Sequence, residues 1–404
     1  MTIQRMTKEE PPRTGPLTAA PPREAGPAEL ARASSSWSRQ SSISPNVIAS
    51  EAQVNGLVEA IAPHQRIALD TEADSRHCYR EKLCLLQLSI PGTDFVVDPL
   101  ALRDLRPLTT TLETKEVVLH GADFDLRLLR RSMGLSPRRV FDTVIAARMS
   151  GLHEFSLAAL VQQYYGVELP KGSQKANWAK RPLPSRMLAY AVNDTHYLLG
   201  LAEKMEAQLV ALGRLDWFDQ SCQRAVQQAA VDRVREPDEV WRISGSGALG
   251  GRAAAVLREL WLWREREAEA VDRPVFHILQ NEQLLEAASR FHSGETPDYR
   301  HFSTRRRAAF RAAADRGLSL DPSEWPMPRR RFGTRRTAEA HQRMEELRRR
   351  RDRSAHELRI EPAFLAPRAA LESITADEER ASALLVPWQR EVLGLTHPAT
   401  SSVE

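Results

Sequence analysis

Several residue and segment types are scarce in this chain of 404 residues, and each shortage argues against a class of protein. The three cysteines, Cys78, Cys84 and Cys222, are too few and too scattered for a disulfide framework or a zinc site, which favours a reducing compartment such as the cytoplasm. No run approaches the roughly 20 apolar residues that cross a membrane, so we expect no membrane span. Aromatic residues make up only 6% of the chain, so aliphatic residues supply most of its hydrophobicity.

Lysine is also rare, whereas arginine is abundant. Seven lysines stand against fifty arginines, and the formal net charge is +4. The planar guanidinium group suits phosphate contacts, so this composition is compatible with a nucleic-acid partner. A high arginine content also follows from a GC-rich genome, and the composition alone therefore does not identify the partner.

The chain divides by composition into a tail, an α/β domain and helical regions. Residues 1–45 are rich in proline, serine and alanine and lack an apolar segment, which predicts a disordered tail without a secretory signal. Residues 46–220 alternate short apolar runs with helical patterns, which predicts a mixed sheet with flanking helices. A linker over 221–242 and two helical domains, over 243–320 and 329–396, complete the predicted organisation.

Apolar runs within the α/β domain predict four strands, over residues 67–69, 83–90, 95–97 and 117–119. The short turn Pro91-Gly92-Thr93-Asp94 predicts an antiparallel hairpin between the second and third of these strands. Helical spacing predicts a helix over 155–165 and one long helix over 184–212.

Acidic residues stand where the first predicted strand ends, in the tripeptide Asp70-Thr71-Glu72. Because side chains alternate along a strand, Asp70 and Glu72 should share one face of the sheet and Thr71 should lie on the other. Two neighbouring carboxylates repel each other unless a divalent cation neutralises them. Taken alone the pattern is weak, because acids at strand ends are common.

Three further acids occupy helical positions. Asp123 and Asp125 stand at the start of a predicted helix, where capping and the helix dipole favour acids anyway. Tyr190 and Asp194 lie one turn apart on the long helix, and an aspartate inside an apolar helix has no propensity reason to be there. Carboxylates that converge without cysteine or histidine suit hard cations such as Mg²⁺ or Mn²⁺. Such ions catalyse phosphodiester hydrolysis.

These motifs resemble ribonuclease D, a family of 3′-5′ exoribonucleases in the DEDD superfamily. The resemblance runs from about Arg66 to Glu206 and rests on segments 68–72, 83–89, 119–122 with Asp125, 141–143, 178–183 and 190–199. It implies a ribonuclease-H-like α/β fold that holds two divalent metal ions, Mg²⁺ or Mn²⁺. It also implies hydrolysis at RNA 3′ ends with release of nucleoside 5′-monophosphates, in tRNA 3′ processing or RNA turnover.

The resemblance implies a role for each of four acids. Asp70 would bridge both metals. Glu72 and Asp194 would bind the metal that holds the attacking water, and Asp125 would lie near the other metal.

Tyr190 matches the tyrosine that would orient the attacking water in one branch of the superfamily. The histidine branch would have its histidine at position 189, which is Ala189 here, so the tyrosine branch is implied. Asp123 comes two residues too early to match the family acid and is expected to be a helix cap.

The loop over residues 171–181 also matches the family, and five residues are candidate substrate contacts: Thr71, His120, Gln174, Trp178 and Arg181. Three of them have alternative explanations. Trp178 is typical of a packing anchor and Arg181 of a residue that orders the loop. A lone histidine such as His120 often satisfies a backbone group.

The first helical domain resembles the HRDC (helicase and RNase D C-terminal) domain, and residues 329–395 look like a second, divergent copy. Such bundles are usually nucleic-acid-binding or docking modules. Between Arg329 and Arg359 there are 12 arginines against five acids, whereas basic and acidic residues balance between Glu51 and Asp216. Backbone binding is therefore expected through the C-terminal part, although a solvated helix face explains Arg348–Arg351 equally well.

RNA is the expected partner, with structured RNAs such as tRNA precursors as the substrate class that the family implies. Two alternatives stay open at this point. The first is a 3′-5′ DNA exonuclease with the same site, because the acids do not separate RNA from DNA. The second is a non-catalytic RNA-binding scaffold.

Overall fold

The computed structural model describes residues 45–170, 172–231, 236, 238–327 and 338–395. Almost all of the predicted tail, together with Lys171 and residues 328–337, lies outside the described residues. None of the described helices is long and apolar enough to cross a membrane.

A six-stranded mixed sheet forms the centre of the α/β domain. Its strands are β1 (Asn46–Ile48), β2 (Arg66–Ala73), β3 (Leu83–Ile90), β4 (Thr93–Val97), β5 (Glu116–Leu119) and β6 (Arg139–Asp142). Their order is β1-β4-β3-β2-β5-β6, with β3 antiparallel to both neighbours and the remaining pairs parallel. The predicted mixed sheet is thus confirmed, and it gains two short strands, β1 and β6, that the apolar runs did not predict.

The hairpin between β3 and β4 has the predicted position. Ile90 pairs with Thr93, so Pro91 and Gly92 form a two-residue turn. Gly92 has φ +78°, a left-handed conformation that glycine adopts without steric cost. On the other side of β3, Asp70 of β2 lies directly opposite Gln87.

Helices cover both faces of the sheet. They are α1 (Glu51–Ile61), α2 (Arg106–Glu113), α3 (Asp123–Met133), α4 (Thr143–Met149), α5 (Leu157–Tyr165), α6 (Ser185–His196), α7 (Leu198–Ala211) and α8 (Leu215–Ala230). One face of the sheet packs Leu69 and Leu88 in a core with Leu57 of α1. The other packs Leu85 against Met187 of α6. The site residues of β2 therefore lie between two buried layers.

The long helix predicted over 184–212 is two helices, which corrects that expectation. Tyr197 separates α6 from α7, and its main-chain N–H bonds to Thr195 instead of continuing the helical ladder. The hydroxyl of Ser89 donates to Thr195, and His196 Nδ1 lies 2.8 Å from the carboxylate of Asp94. These contacts with the β3–β4 hairpin hold the end of α6, so Asp194 falls in the last turn of a helix rather than in the middle of one.

Helix α8 continues the domain beyond the predicted boundary at residue 220. It extends to Ala230, and Ala229 belongs to the same buried core as Leu126 and Leu129 of α3. The segment predicted as a linker over 221–242 therefore begins inside a packed helix.

The first helical region, residues 243–320, contains α9 (Gly251–Ala270), α10 (Val275–Ile278), α11 (Asn281–His292) and α12 (Thr304–Ser319). Trp263, Phe291 and Phe310 form the centre of its core. A Cβ at Gly317 would lie 2.6 Å from the Cα of Val256, so the close approach of α12 to α9 requires glycine.

The second helical region, residues 338–395, contains α13 (Ala338–Glu357), α14 (Pro362–Leu365), α15 (Arg368–Ala376), α16 (Ala381–Leu384) and α17 (Pro387–Val392). Trp388 stacks on Trp217 of α8 with ring centroids 5.0 Å apart, and its indole N–H donates to the hydroxyl of Ser221. This region is thus fastened to the α/β domain through α8.

Candidate active site

The end of β2 opens into a cleft of about 670 Å³. Its polar lining comes from β2, the β2–β3 connection, the β5–α3 turn, α3, the start of α5, the loop before α6, and α6 itself. The polar residues are Asp70, Thr71, Glu72, Ser75, Arg76, His120, Asp125, Ser156, Gln174, Tyr190 and Asp194. Residues far apart in sequence therefore meet at one edge of the sheet.

Three carboxyl groups converge in this cleft. One oxygen from each of Asp70, Glu72 and Asp194 lies within 4.8 Å of the others. Asp70 and Glu72 project from the same face of β2, as strand alternation requires, and α6 lies across that face and brings Asp194 to them. Because an acid in the last turn opposes the helix dipole, helix stability does not explain Asp194.

Asp125 is buried beside this cluster in the first turn of α3. The hydroxyl of Thr71 donates to its carboxylate, so the residue between the two strand acids fixes Asp125, the fourth acid of the site, in place. Asp123 behaves differently: its side chain is 62% exposed and pairs with Arg127 one turn along the helix. Asp123 is the first residue of α3, and Ala122 occupies the N-cap position.

Asp142, for which no role of its own was predicted, shapes the turn that carries Asp125. Its buried carboxylate accepts hydrogen bonds from the main-chain N–H groups of Gly121 and Ala122, at 3.0 and 2.9 Å, and from that of Val144 at 2.8 Å. Gly121 has φ +78°. An aspartate between a strand and a helix is a capping signal, and that signal was available in the sequence.

Crowding and burial raise the pKa values of all four acids. Burial is the main cause for each, and it raises the pKa of Glu72 to about 9, that of Asp194 to about 7 and that of Asp125 to about 6. The pKa of Asp70 is raised well above its usual range by burial and by the charges of the other three. A divalent cation relieves this repulsion, and an all-oxygen donor set suits hard cations. The residues present therefore fit a divalent metal ion.

Tyr190 stands one turn before Asp194 and shares a hydrogen bond with its carboxylate. Gln174 also hydrogen-bonds the phenol. Burial, followed by the charge of Asp194, raises the pKa of Tyr190, so the phenol stays protonated at neutral pH. The hydroxyl is thus held at the edge of the carboxyl cluster.

The five expected substrate contacts fall into two groups. Gln174, His120 and Thr71 line the cleft. His120 Nδ1 lies 2.9 Å from the hydroxyl of Thr143, and burial lowers its pKa, so its ring is neutral at pH 7.

Trp178 and Arg181 do not line the cleft, and direct substrate contact by either of them stays a prediction. Trp178 is 1% exposed and packs against the ring of Tyr190, with centroids 6.1 Å apart. Arg181 forms a bidentate pair with Asp98 and also donates to the carbonyl oxygens of Trp178 and Cys84. Both side chains order the loop before α6, the alternative that the sequence left open.

Two cleft residues were missed by sequence reasoning. Phe124 is a large apolar side chain that stays exposed between Asp123 and Asp125. Arg76 is an exposed cation at the rim of an acidic cleft. Phe124 could have been noticed as an apolar residue on the polar side of a helix, whereas nothing in the local pattern marks Arg76.

Three arginines of the arginine-rich helix α13 make contacts within the second helical region. Arg350 donates to the carbonyl oxygen of Leu393, and Arg351 donates to that of Ala366. Arg348 pairs with Glu345. Residues 329–337 of the basic segment lie outside the described residues, and backbone binding by this segment stays a prediction.

Two protein families match this chain. Residues 45–210 match a family described as 3′-5′ exonuclease, and residues 253–291 match the HRDC domain. The first range contains the sheet and the carboxyl cluster, and the second contains most of α9 together with α10 and α11. The second helical region falls outside both ranges, so its likeness to an HRDC domain stays a prediction.

Proteins similar to this chain in sequence or structure include several ribonuclease D proteins, which is consistent with the two family matches. A ribonuclease D from Sphingobium indicum is 34% identical over 57% of this chain and 60% of that protein, so the chain spans less than two thirds of this relative. A ribonuclease D from Nitrobacter hamburgensis is 28% identical over 86% of this chain and 93% of that protein. The solved structure of Escherichia coli RNase D, described as an exoribonuclease involved in structured RNA processing, has a TM-score of 0.67 at 24% identity and covers 87% of this chain and 96% of that one. These findings confirm the resemblance and the fold class expected from the sequence.

Proposed function

We propose that this chain, which matches the 3′-5′ exonuclease and HRDC domain families, belongs with the ribonuclease D proteins and is a metal-dependent 3′-5′ exoribonuclease. The observation that carries the proposal is the convergence of Asp70, Glu72 and Asp194 within 4.8 Å at the bottom of an open cleft. Such a set of half-buried like charges is costly for the fold alone and is typical of a functional site.

The acids are proposed to hold two divalent ions, Mg²⁺ or Mn²⁺. Asp70 would bridge both, Glu72 and Asp194 would hold the one nearer the attacking water, and Asp125 would face the other. Bound ions of this kind lower the pKa of water and stabilise charge on the leaving oxygen.

Other side chains are proposed to position the reactants. Tyr190 would orient the attacking water through its protonated hydroxyl, and Gln174 and Asp194 hold that hydroxyl in place. Thr71 keeps the carboxylate of Asp125 turned toward the cleft. His120, neutral and hydrogen-bonded to Thr143, is a candidate contact for the terminal nucleotide.

RNA 3′ ends are the proposed substrate and nucleoside 5′-monophosphates the product, with tRNA precursors or other structured RNAs as the physiological class. The names of the relatives and the HRDC match support this choice. A cytoplasmic location fits the three free cysteines.

Degradation of matched RNA and DNA strands, each labelled at the 5′ end, tests the proposal. With Mg²⁺ the purified full chain should shorten RNA from its 3′ end one nucleotide at a time, and EDTA should stop it. Faster shortening of the DNA strand would favour a DNA exonuclease with the same site. Metal-independent cleavage, or none at all, would refute the proposal.

A further inference from the structure

A second groove adjoins the catalytic cleft. It has a volume of about 550 Å³ and lies between the β2–β3 connection and the segment Pro274–Phe276 of the first helical region. Ser75 lines both the cleft and the groove. A chain whose end lies in the cleft can therefore continue into the groove without leaving the protein surface.

The walls of this groove are fastened to each other. The main-chain N–H of Tyr79 donates to the carboxylate of Asp272 at 3.1 Å, and the Tyr79 hydroxyl donates to Glu265 at 3.1 Å. The ring of Tyr79 packs on the core of the first helical region. Asp272 has φ +44°, a left-handed conformation that is uncommon for a residue other than glycine. The groove is thus formed in advance of any ligand.

The arginines that line the groove are more exposed than the acids that line it, and each is paired with an acid: Arg131 with Glu81, and Arg80 with Glu269, whose side chain is 54% exposed. The side chains of Arg80 and Arg131 are 80% and 50% exposed, whereas those of Glu81 and Glu265 are 24% and 22% exposed. Arg76 adds an exposed cation at the junction with the cleft. The phosphates of a polyanion bound along this path would lie near exposed guanidinium groups.

An aromatic ring stands at the rim of the groove. Phe276 is 43% exposed, although its neighbours Ile278 and Leu279 are buried in the helical core. Single exposed apolar residues are ordinary on protein surfaces. Here, however, the ring and exposed arginines line one groove that shares Ser75 with the cleft. Aromatic rings and cations together are what single-stranded nucleic acids need, since bases stack on rings and phosphates pair with cations.

We propose that this groove binds the single-stranded RNA segment immediately 5′ of the terminal nucleotides, with Phe276 as a stacking platform and Arg80 and Arg131 facing the phosphates. The proposal rests on the proposed exoribonuclease function and adds a residue-level path for the substrate. It assigns to the HRDC domain a direct contact close to the active site.

RNAs of different length distinguish binding in the groove from binding in the cleft, because a trinucleotide is too short to reach the groove from the cleft. We expect Phe276→Ala to raise KM for a 12-nucleotide single-stranded RNA about tenfold, because one stacking contact is lost, and to leave kcat and the KM for a trinucleotide unchanged. Arg80→Ala should lower the salt dependence of 12-mer binding by about one ion. Leu262→Ala is the matched control, since Leu262 is 40% exposed on α9 but lies outside the groove lining.

Equal losses on both lengths, or no loss on the 12-mer, would overturn the proposal. Fluorescence anisotropy of the labelled 12-mer on an Asp70→Asn background measures the same binding without cleavage and should show the same tenfold change. If the wild-type chain fails to degrade either RNA with Mg²⁺, the proposed function itself fails, and anisotropy still decides whether the groove binds RNA.

Discussion

The two ends of the β2–β3 connection arrange charge in opposite ways. Where the connection begins, Asp70 and Glu72 crowd against Asp194 with like charges. Where it ends, Arg80 pairs with Glu269 at 2.6 Å and Lys82 approaches Asp272 at 3.8 Å. Both ends are polar, yet the like charges at the first end lower the stability of the folded protein, whereas the ion pairs at the second end raise it.

The two charge arrangements have different roles: one docks a domain, and the other suits a cationic ligand. Opposite charges at the helical end dock one domain on another, and exposed pairs of this kind contribute at most about 1 kcal/mol each. Like charges at the strand end raise their own pKa values, and a bound divalent cation would offset that cost. The β2–β3 connection contributes Ser75 and Arg76 to the wall of the cleft. Its far end is bonded to the first helical region through Tyr79, so that region helps to hold this wall in place.

The strongest test of the contrast removes one of the crowded acids. We expect Asp70→Asn to reduce cleavage at least about a thousandfold, because metal stabilisation of several kcal/mol is lost, and to leave RNA binding largely intact. The matched control is Asp123→Asn, which alters an exposed acid near the same cleft and should retain full activity. Rates come from single-turnover cleavage and binding from anisotropy. Lost binding with retained cleavage would contradict the assignment of the site.

A smaller effect is expected at the edge of the cluster. Tyr190→Phe removes the hydroxyl and keeps the ring that packs on Trp178, so kcat should fall about a hundredfold with KM nearly constant. Trp178→Phe serves as the comparison, since it alters the packing without touching the phenol. A fall in kcat for Trp178→Phe as large as that for Tyr190→Phe would show that ring packing, and not the hydroxyl, matters.

The sequence predicted this contrast only at its crowded end. Asp70 and Glu72 share a strand face by alternation, and Asp194 stands out as an acid in an apolar helix, so each of them carries a local signal. Thr71 does not: its bond to Asp125 depends on α3 returning to the end of β2, a contact between distant segments. The helix break at Tyr197 was missed for the same reason, because the β3–β4 hairpin causes it. Long-range packing decides such features, and no local pattern encodes them.

Protons and metal ions should compete for the carboxyl cluster. We therefore expect Mg²⁺ to raise the Tm by an amount that depends on pH. The folded-state pKa of Glu72 is about 9 and its ordinary value is 4.5, so the metal-free folded state holds a proton that the unfolded state releases between those values. The stability of the metal-free protein therefore falls as pH rises through this window. Mg²⁺ at about 100 times its Kd should restore about 2.7 kcal/mol, a rise in the Tm of this 404-residue chain of roughly 3 °C.

That rise should be larger at pH 8 than at pH 5.5, where protons occupy the same carboxyl groups. Differential scanning fluorimetry at constant ionic strength measures it, with a potassium salt as the control for screening. The Asp70→Asn variant should show a smaller rise. A Mg²⁺ effect that is independent of pH would argue against cation binding by these acids.

The smallest effect is expected where the charges are complementary. Asp272→Ala removes the acceptor for the Tyr79 N–H and should cost about 1 kcal/mol, or about 1 °C in Tm, with kcat on a trinucleotide unchanged. Asp272→Asn keeps an oxygen acceptor and tolerates the left-handed conformation, so it should cost less. Limited proteolysis at Arg80 or Lys82 reports on the connection directly, and Asp272→Ala should be cut faster than the wild type. A large fall in kcat instead would mean that the docked domain positions the carboxyl cluster itself, because the connection then transmits the change from one end to the other.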